Sequence, residues 1–342
     1  MIGQRLLTTG WKEKCKEKSL LFLRANLSTV KNKKVPNFHG VYPIMATPFD
    51  VSERLDLKSF EKSIRFMKEA GCDGVTVVGV LGESNRLLDS ERDELVRVAV
   101  SAAEGMPVIV GTSHPGTRAT AELSARAESL GASGVMVTPS KEPTPMTEDR
   151  LVEYFSAVND SIEIPIVLQD HPASTQVHMS VPTLARLIRE VPKIECVKLE
   201  SLPSPPRIAM LKQMMERDGR SVSILTGLGA LYGAFDLMQD TQGFMTGFAF
   251  PEVLKSMTKD AERKDYDKMY TTYQKWLPMM VYEQQPGLAV RKEIYRLRGL
   301  VDVGQVRHPG ANITETAAVG LKDVLERTLG SRVDLSKPLT DV

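Results

Sequence analysis

Lys198 stands near the middle of Ile194-Glu195-Cys196-Val197-Lys198-Leu199-Glu200, a short, largely apolar run. Strands of a parallel sheet are buried on both faces, so an ammonium inside one must be paired or must lose its charge. Burial lowers a lysine pKa, and a neutral amine in a closed pocket attacks a ketone to form a Schiff base. The competing reading is a lysine at a strand end that pairs with Glu200 or Glu195, and the strand pattern alone leaves both open. The runs IPIVLQ and IECVKL flank the helical pattern VPTLARLIREV. Together they make a βαβ unit spanning roughly residues 163–201, with the lysine in its second strand.

The same alternation organises the chain from His39 onward. Strand-like runs fall at 40–46, 74–79, 107–111, 134–138, 164–169, 194–199, 222–226 and 243–248, each followed by an amphipathic helical stretch. Capping residues are expected at Asp89 or Ser90, Thr117 and Thr147, and glycines at 71, 105 and 131 close helices. Eight such units predict an α/β protein of the (β/α)8 TIM barrel type rather than an open doubly wound sheet. No fixed-period sequence repeat accompanies them. The barrel is assigned to residues 38–264. Helical stretches at 265–280, 287–298 and 314–329 predict a C-terminal helical extension over 265–342, packed on the barrel.

With 342 residues, 42% hydrophobic and a formal net charge of +1, the chain can bury a large core and carries no charge signature of nucleic-acid or membrane partners. Cys15, Cys72 and Cys196 are too few and too dispersed for a disulfide framework or a metal cluster, and they suggest a reducing compartment. No apolar run approaches membrane-spanning length. Residues 1–37 carry Arg5, Lys12, Lys14, Lys16, Lys18, Arg24, Lys31, Lys33 and Lys34 against Glu13 and Glu17. They read as a disordered basic extension in a cytoplasmic protein. A mitochondrial transit segment is the alternative.

Active sites of such barrels lie at the C-terminal ends of the strands. Thr47 follows the first strand, and Gly79, Val80, Leu81, Gly82 and Glu83 follow the second, where the glycines would let the backbone offer N–H donors to a carboxylate or simply make a tight turn. Gln169, Asp170 and His171 end strand five, and Lys198 and Glu200 belong to strand six. Gly227 after strand seven, with Met245 and Gly247 on strand eight, completes the candidate set. His171 has a pKa suited to giving and taking protons near neutrality, or it hydrogen-bonds backbone in a loop. Arg86 and Lys141 are further candidates for a substrate carboxylate, with surface solvation as the other fate. His308 reads as structural, and His39, His114 and His178 have no partner that the sequence names.

TPF at 47–49, GxxGE at 79–83, TP at 138–139, the strand-five ending at 169–172 and VK at 197–198 share the order and spacing of one family. From about residue 38 to 329 the chain resembles the dihydrodipicolinate synthase and N-acetylneuraminate lyase family of class I aldolases. The resemblance implies the barrel with its helical extension, a homo-oligomer (tetramer or dimer), and Lys198 as the residue that forms an imine with pyruvate or another 2-oxo acid. Lys198, His171 and Gln169 are the expected catalytic residues: Gln169 stands at the position of the family's strand-five phenol, and among the titratable candidates His171, Asp170, Glu200 and Glu83 the histidine is suited to the proton transfers that a phenol makes in the family. The departures are specific. Val80 and Leu81 stand where synthases carry two threonines. Gln169 replaces the proton-relaying tyrosine, Ser174 an arginine that grips the aldehyde substrate's carboxylate, and Ser140 and Lys141 a tyrosine pair. Gly229 and Ala230 stand where sialic acid lyases carry Asp-Glu.

Three readings follow: a carbon-carbon lyase or aldolase acting through a Lys198 imine, a dehydratase of 2-oxo-3-deoxy sugar acids using the same imine, and a non-catalytic 2-oxo acid binding barrel. There is no Cys/His cluster, GxGxxG after the first strand or GxxxxGK[ST] run, so no metal or other cofactor is expected.

Overall fold

The computed structural model describes residues 38–140, 142, 146–285, 287–330, 334–340 and 342. The basic N-terminal segment, with Cys15, and Lys141 lie outside the described residues. Eight parallel strands form one sheet in the order β1-β8-β7-β6-β5-β4-β3-β2. They are β1 (Gly40–Val41), β2 (Val75–Val77), β3 (Val108–Gly111), β4 (Gly134–Val137), β5 (Ile166–Asp170), β6 (Ile194–Leu199), β7 (Ser223–Thr226) and β8 (Gly243–Phe244). A parallel bridge between Ile44 and Thr76 brings the two edges together, so the sheet curls into the expected barrel. β1 and β8 are shorter than their apolar runs suggest. Pro43 has no N–H to give the ladder. Pairing nevertheless resumes beyond it, the Ile44 amide donating to the Thr246 carbonyl at 3.0 Å.

Helices α1 (Leu57–Glu69), α2 (Asp89–Ala103), α3 (Thr117–Ser129), α4 (Glu148–Ser161), α5 (Val181–Glu190), α6 (Ser204–Arg217), α7 (Gly233–Leu237) and α8 (Pro251–Glu262) each follow their strand. The local reasons are ordinary. In α1 the Asp56 carboxylate accepts from the Ser59 amide at 3.0 Å, and Phe60, Ile64 and Met67 repeat at helical spacing to form the buried face. Thr147 caps α4 as expected, accepting from the Arg150 amide. The other two caps differ. Leu88 and Gly116 occupy the N-cap positions, so Asp89 and Thr117 fall inside the first turn. At α2 the Glu91 carboxylate turns back to accept from the Leu88 amide at 2.9 Å, so the cap is supplied from inside the helix.

The strands' outward side chains pack with the helices into the main core. Inward-facing Tyr42, Ile44, Ile109, Met136, Val167, Cys196, Leu225 and Met245 fill the barrel, with Leu81 packed over them. Cys72 and Cys196 are buried free thiols, both pushed up by burial. No helix among the described residues is long and apolar enough to cross a membrane.

Beyond α8 come α9 (Tyr266–Gln284), α10 (Leu288–Leu297) and α11 (Glu315–Leu329). The extension reaches the loop after β2, at the C-terminal rim of the barrel, through charge. Glu83, buried and held at φ +57° in the loop after β2, receives Lys292 of α10, Arg86 at 2.8 Å and the Arg307 amide at 3.0 Å. The Lys292 ammonium and the Arg307 guanidinium lie 4.5 and 4.1 Å from the centre of the Phe49 ring. Burial pulls Lys292 down to about 8, with Glu83 holding against it. Removing one partner of a buried pair typically costs about 3–5 kcal/mol because the other charge is stranded. Glu83→Gln is therefore expected to lower the thermal midpoint by several degrees, and an unchanged calorimetric transition would refute the clamp.

Candidate active site

Strand alternation decides which side chains meet. Cys196, Lys198 and Glu200 share the inner face of β6 and its continuation, and Val167 and Gln169 that of β5, with Gln169 paired in register to Lys198. Lys198 is 4% exposed, and its Nζ lies 3.0 Å from Glu200 Oε2. The same oxygen accepts from Gln169 Nε2 at 2.7 Å, while Oε1 accepts from the Leu228 amide at 3.1 Å. The ion-pair reading of Lys198 is thus what the ground state holds. It is compatible with imine chemistry, because the carboxylate is also the group to which the ammonium can hand its proton.

Burial pushes the Glu200 carboxyl up, but the Lys198 ammonium, then His171, the Gln169 amide and the Leu228 amide outweigh it and hold the group below the usual range. His171 stands further out. Its Nδ1 is 2.7 Å from Ser174 Oγ and 4.0 Å from Glu200 Oε2, too far for a hydrogen bond. Burial, with Lys198 adding to it, lowers its pKa against the pull of Glu200 and Asp170.

Gly227 forms the floor under Glu200. A Cβ there would collide with Glu200 Cγ, Cδ and Oε1. Gly227→Ala is therefore expected to displace the carboxylate from the amine. It should lower kcat by about tenfold or more, given the sensitivity of catalysis to a misplacement of about 1 Å, while the melting transition stays cooperative. Wild-type kcat in this variant would show that the position of Glu200 is unimportant.

Several candidate residues turn out to do other work. Asp170 points outward between β5 and α6, where Ser201 donates to it at 2.6 Å and Arg207 at 3.1 Å. The alternation that turns Gln169 inward turns its neighbour out. Glu83 is enclosed by the basic groups from the extension, and Arg86 is paired to it. The Gly82 amide donates to the Gly79 carbonyl at 3.0 Å, so it serves the turn, and the Gly82 carbonyl accepts from Thr47 Oγ1 at 2.6 Å. Gly79 lies over Ile44 and Met136, and Val80 is half exposed at the rim. Met245 fills the barrel interior, and Gly247 is overlain by Leu81 and by Arg291 of α10. His39 faces Glu262 at 3.4 Å, and His114 Nδ1 accepts from the Gly116 amide. Ser174 hydrogen-bonds His171.

Arg291 with its partner Glu283, and Lys292 with its partner Glu83, are not paired by the sequence. The signal was there. Leu288, Arg291, Lys292 and Tyr295 lie at i, i+3, i+4 and i+7 of α10, so two cations interrupt a stripe that should be apolar. Among the described residues no group of His, Cys, Asp or Glu side chains is arranged to hold a metal ion.

The family model described as Dihydrodipicolinate synthetase family matches residues 37–328. The chain belongs to this family. As a dihydrodipicolinate synthetase family member it is 32% identical over 283 residues to L-2-keto-3-deoxyarabonate dehydratase of Azospirillum brasilense, covering 81% of this chain and 90% of that one. It is 28% identical to 4-hydroxy-tetrahydrodipicolinate synthase of Oceanobacillus iheyensis, over 84% and 97% of the two chains. Dihydrodipicolinate synthase from Rhodopseudomonas palustris superposes with a TM-score of 0.81 at 33% identity, covering 86% and 98%. YagE, an E. coli K12 prophage protein solved in complex with pyruvate, superposes at 0.78 and 26% identity, over 85% and 99%. Relatives of this family member therefore include both a 4-hydroxy-tetrahydrodipicolinate synthase and an L-2-keto-3-deoxyarabonate dehydratase.

Proposed function

We propose that the protein is a lyase that forms an imine between Lys198 and a 2-oxo acid and eliminates water from a 2-oxo-3-deoxy sugar acid. One observation carries this reading. The titratable group in contact with the buried amine is a carboxylate, Glu200, fixed by Gln169 and the Leu228 amide, and strand five offers only an amide.

Glu200 takes a proton from the Lys198 ammonium, and the free amine attacks the C2 carbonyl. The carbinolamine hydroxyl leaves as water with that proton, giving a protonated imine and a carboxylate again. The imine acidifies C3. Glu200 takes a C3 proton to give the enamine and then returns it to the C4 hydroxyl, which departs as water. Hydrolysis of the conjugated imine releases the unsaturated 2-oxo acid and restores the ammonium. One carboxyl beside the imine nitrogen serves each transfer in turn. Similarity to the Azospirillum dehydratase supports the same reading.

The test is to incubate the enzyme with a 2-oxo-3-deoxy pentonic acid and identify the product by mass spectrometry. Loss of one water without pyruvate is the expected result. Release of pyruvate and an aldehyde would make the enzyme an aldolase, and no turnover across a panel of such acids would favour the binding barrel. Condensation of pyruvate with aspartate semialdehyde is expected to be weak, because the Gln169 amide does not titrate and Ser174 supplies no charge for a second carboxylate.

A further inference from the structure

Arg291 sits on α10, remote in sequence from every strand, yet its guanidinium reaches the mouth of the barrel. It is 1% exposed. Nε donates to Glu283 Oε1 at 2.6 Å, and Nη2 meets the same oxygen. Glu283 Oε2 accepts from the Ala249 amide at 3.0 Å, so this carboxylate is fully engaged. The remaining nitrogen, Nη1, has no hydrogen-bond partner among the described residues. Its surroundings say where it points. A Cβ built on Gly247 would collide with Nη1 and Cζ of Arg291 and with Leu81 Cδ1. Gly247 lies two residues beyond Met245, on the same inward face of the strand-eight segment, and Leu81 packs over the barrel interior. Nη1 therefore occupies the place of an inward side chain at the end of β8, beside the loop after β2.

We propose that Arg291 is the carboxylate-binding residue for the 2-oxo acid, a reading that rests on the Lys198 imine proposed above. A buried guanidinium with an unused donor is costly unless an anion completes it. The substrate brings one. Lys198 and Glu200 neutralise each other, so the C1 carboxylate of an entering 2-oxo acid needs a separate cation. The loop after β2 supplies no charge for that purpose: Val80 and Leu81 carry no hydroxyl and the Gly82 and Glu83 amides are bonded inside the turn, which leaves neutral backbone amides at Val80 and Leu81. A charge-assisted hydrogen bond from Nη1 answers the need. Glu283 keeps the cation in position and acts as a positioning residue.

The test compares borohydride trapping of pyruvate and of its uncharged amide, pyruvamide, as a function of concentration. Arg291→Lys retains a charge for Glu283 but loses the second arm of the fork. Gly247→Ala leaves both residues of the pair and drives Nη1 out of its place. For each variant the half-saturating pyruvate concentration is expected to rise by about tenfold or more, the worth of one charge-assisted hydrogen bond, while that of pyruvamide stays within about twofold. Equal changes for the two probes in both variants, or no change, would overturn the assignment and leave the imine reading intact. Failure of the wild-type enzyme to form any adduct with pyruvate would remove both.

Discussion

Lys198→Ala is expected to bring turnover to background and to abolish attachment of pyruvate after borohydride reduction. In the wild-type enzyme the adduct should map to the peptide that contains Lys198. In the proposed mechanism the imine formed on this lysine is the electron sink, so no other group can partly compensate. Loss of a positioned acid-base typically costs about 10² to 10⁴ in rate, and loss of the covalent route should exceed the upper end of that range. The substitution also strands Glu200, which is buried beside the amine at 3.0 Å. A carboxylate in that position will protonate or destabilise the fold. Lys198→Met, which keeps more of the side-chain volume, separates the two effects: its melting transition should persist while trapping is lost. An adduct of undiminished yield in either variant would move the chemistry to another lysine.

Glu200→Gln is expected to lower kcat by about 10² to 10⁴ while leaving the Lys198 adduct detectable, because an amide cannot carry protons between the amine, C3 and the C4 hydroxyl. The pH profile adds a sign. Lys198 and the other partners hold the folded-state pKa of Glu200 below its ordinary value, against burial. The wild-type acid limb of kcat/KM should therefore lie below the usual glutamate range. The stability contributed by Glu200 is present above its unfolded pKa and is lost as pH falls through the lower folded value. Both features should vanish in Glu200→Gln. His171→Ala should cost less, since the imidazole is 4.0 Å from Glu200 and hydrogen-bonded to Ser174. If His171→Ala stops turnover and Glu200→Gln does not, the two roles are exchanged.

The barrel was legible because its signals are local and repeated. Apolar runs of strand length alternate with helical faces such as Phe60, Ile64 and Met67, and a parallel barrel is what that alternation can build. Lys198 was legible for the opposite reason: a charge inside a buried strand violates the pattern around it. Which loop residues meet the lysine was less so. Gln169 and Asp170 are adjacent polar residues on one strand, and the register of β5 against β6 decides which of them faces the lysine. Glu83 looked like a site residue because its loop is at the rim. Its partners, Lys292 and Arg307, come from over two hundred residues later in the chain, a separation that no window along the sequence spans. Arg291 was hidden in the same way, since its meaning depends on the absence of a side chain at Gly247.

The clamp on Glu83 has a consequence for how such proteins can be recombined. Barrel and helices of related chains look like exchangeable cassettes, with a natural joint after α8. Here the joint is crossed by the rim itself. A chimera that grafts another relative's C-terminal helices onto this barrel would import a foreign set of cations against Glu83 and a foreign neighbour for Gly247, and one that ends the chain at the joint would leave that acid uncovered. The smallest heritable unit of this part of the rim is therefore the loop after β2, the end of β8 and α10 taken together, because Lys292 meets Glu83 and Arg291 fills the space over Gly247.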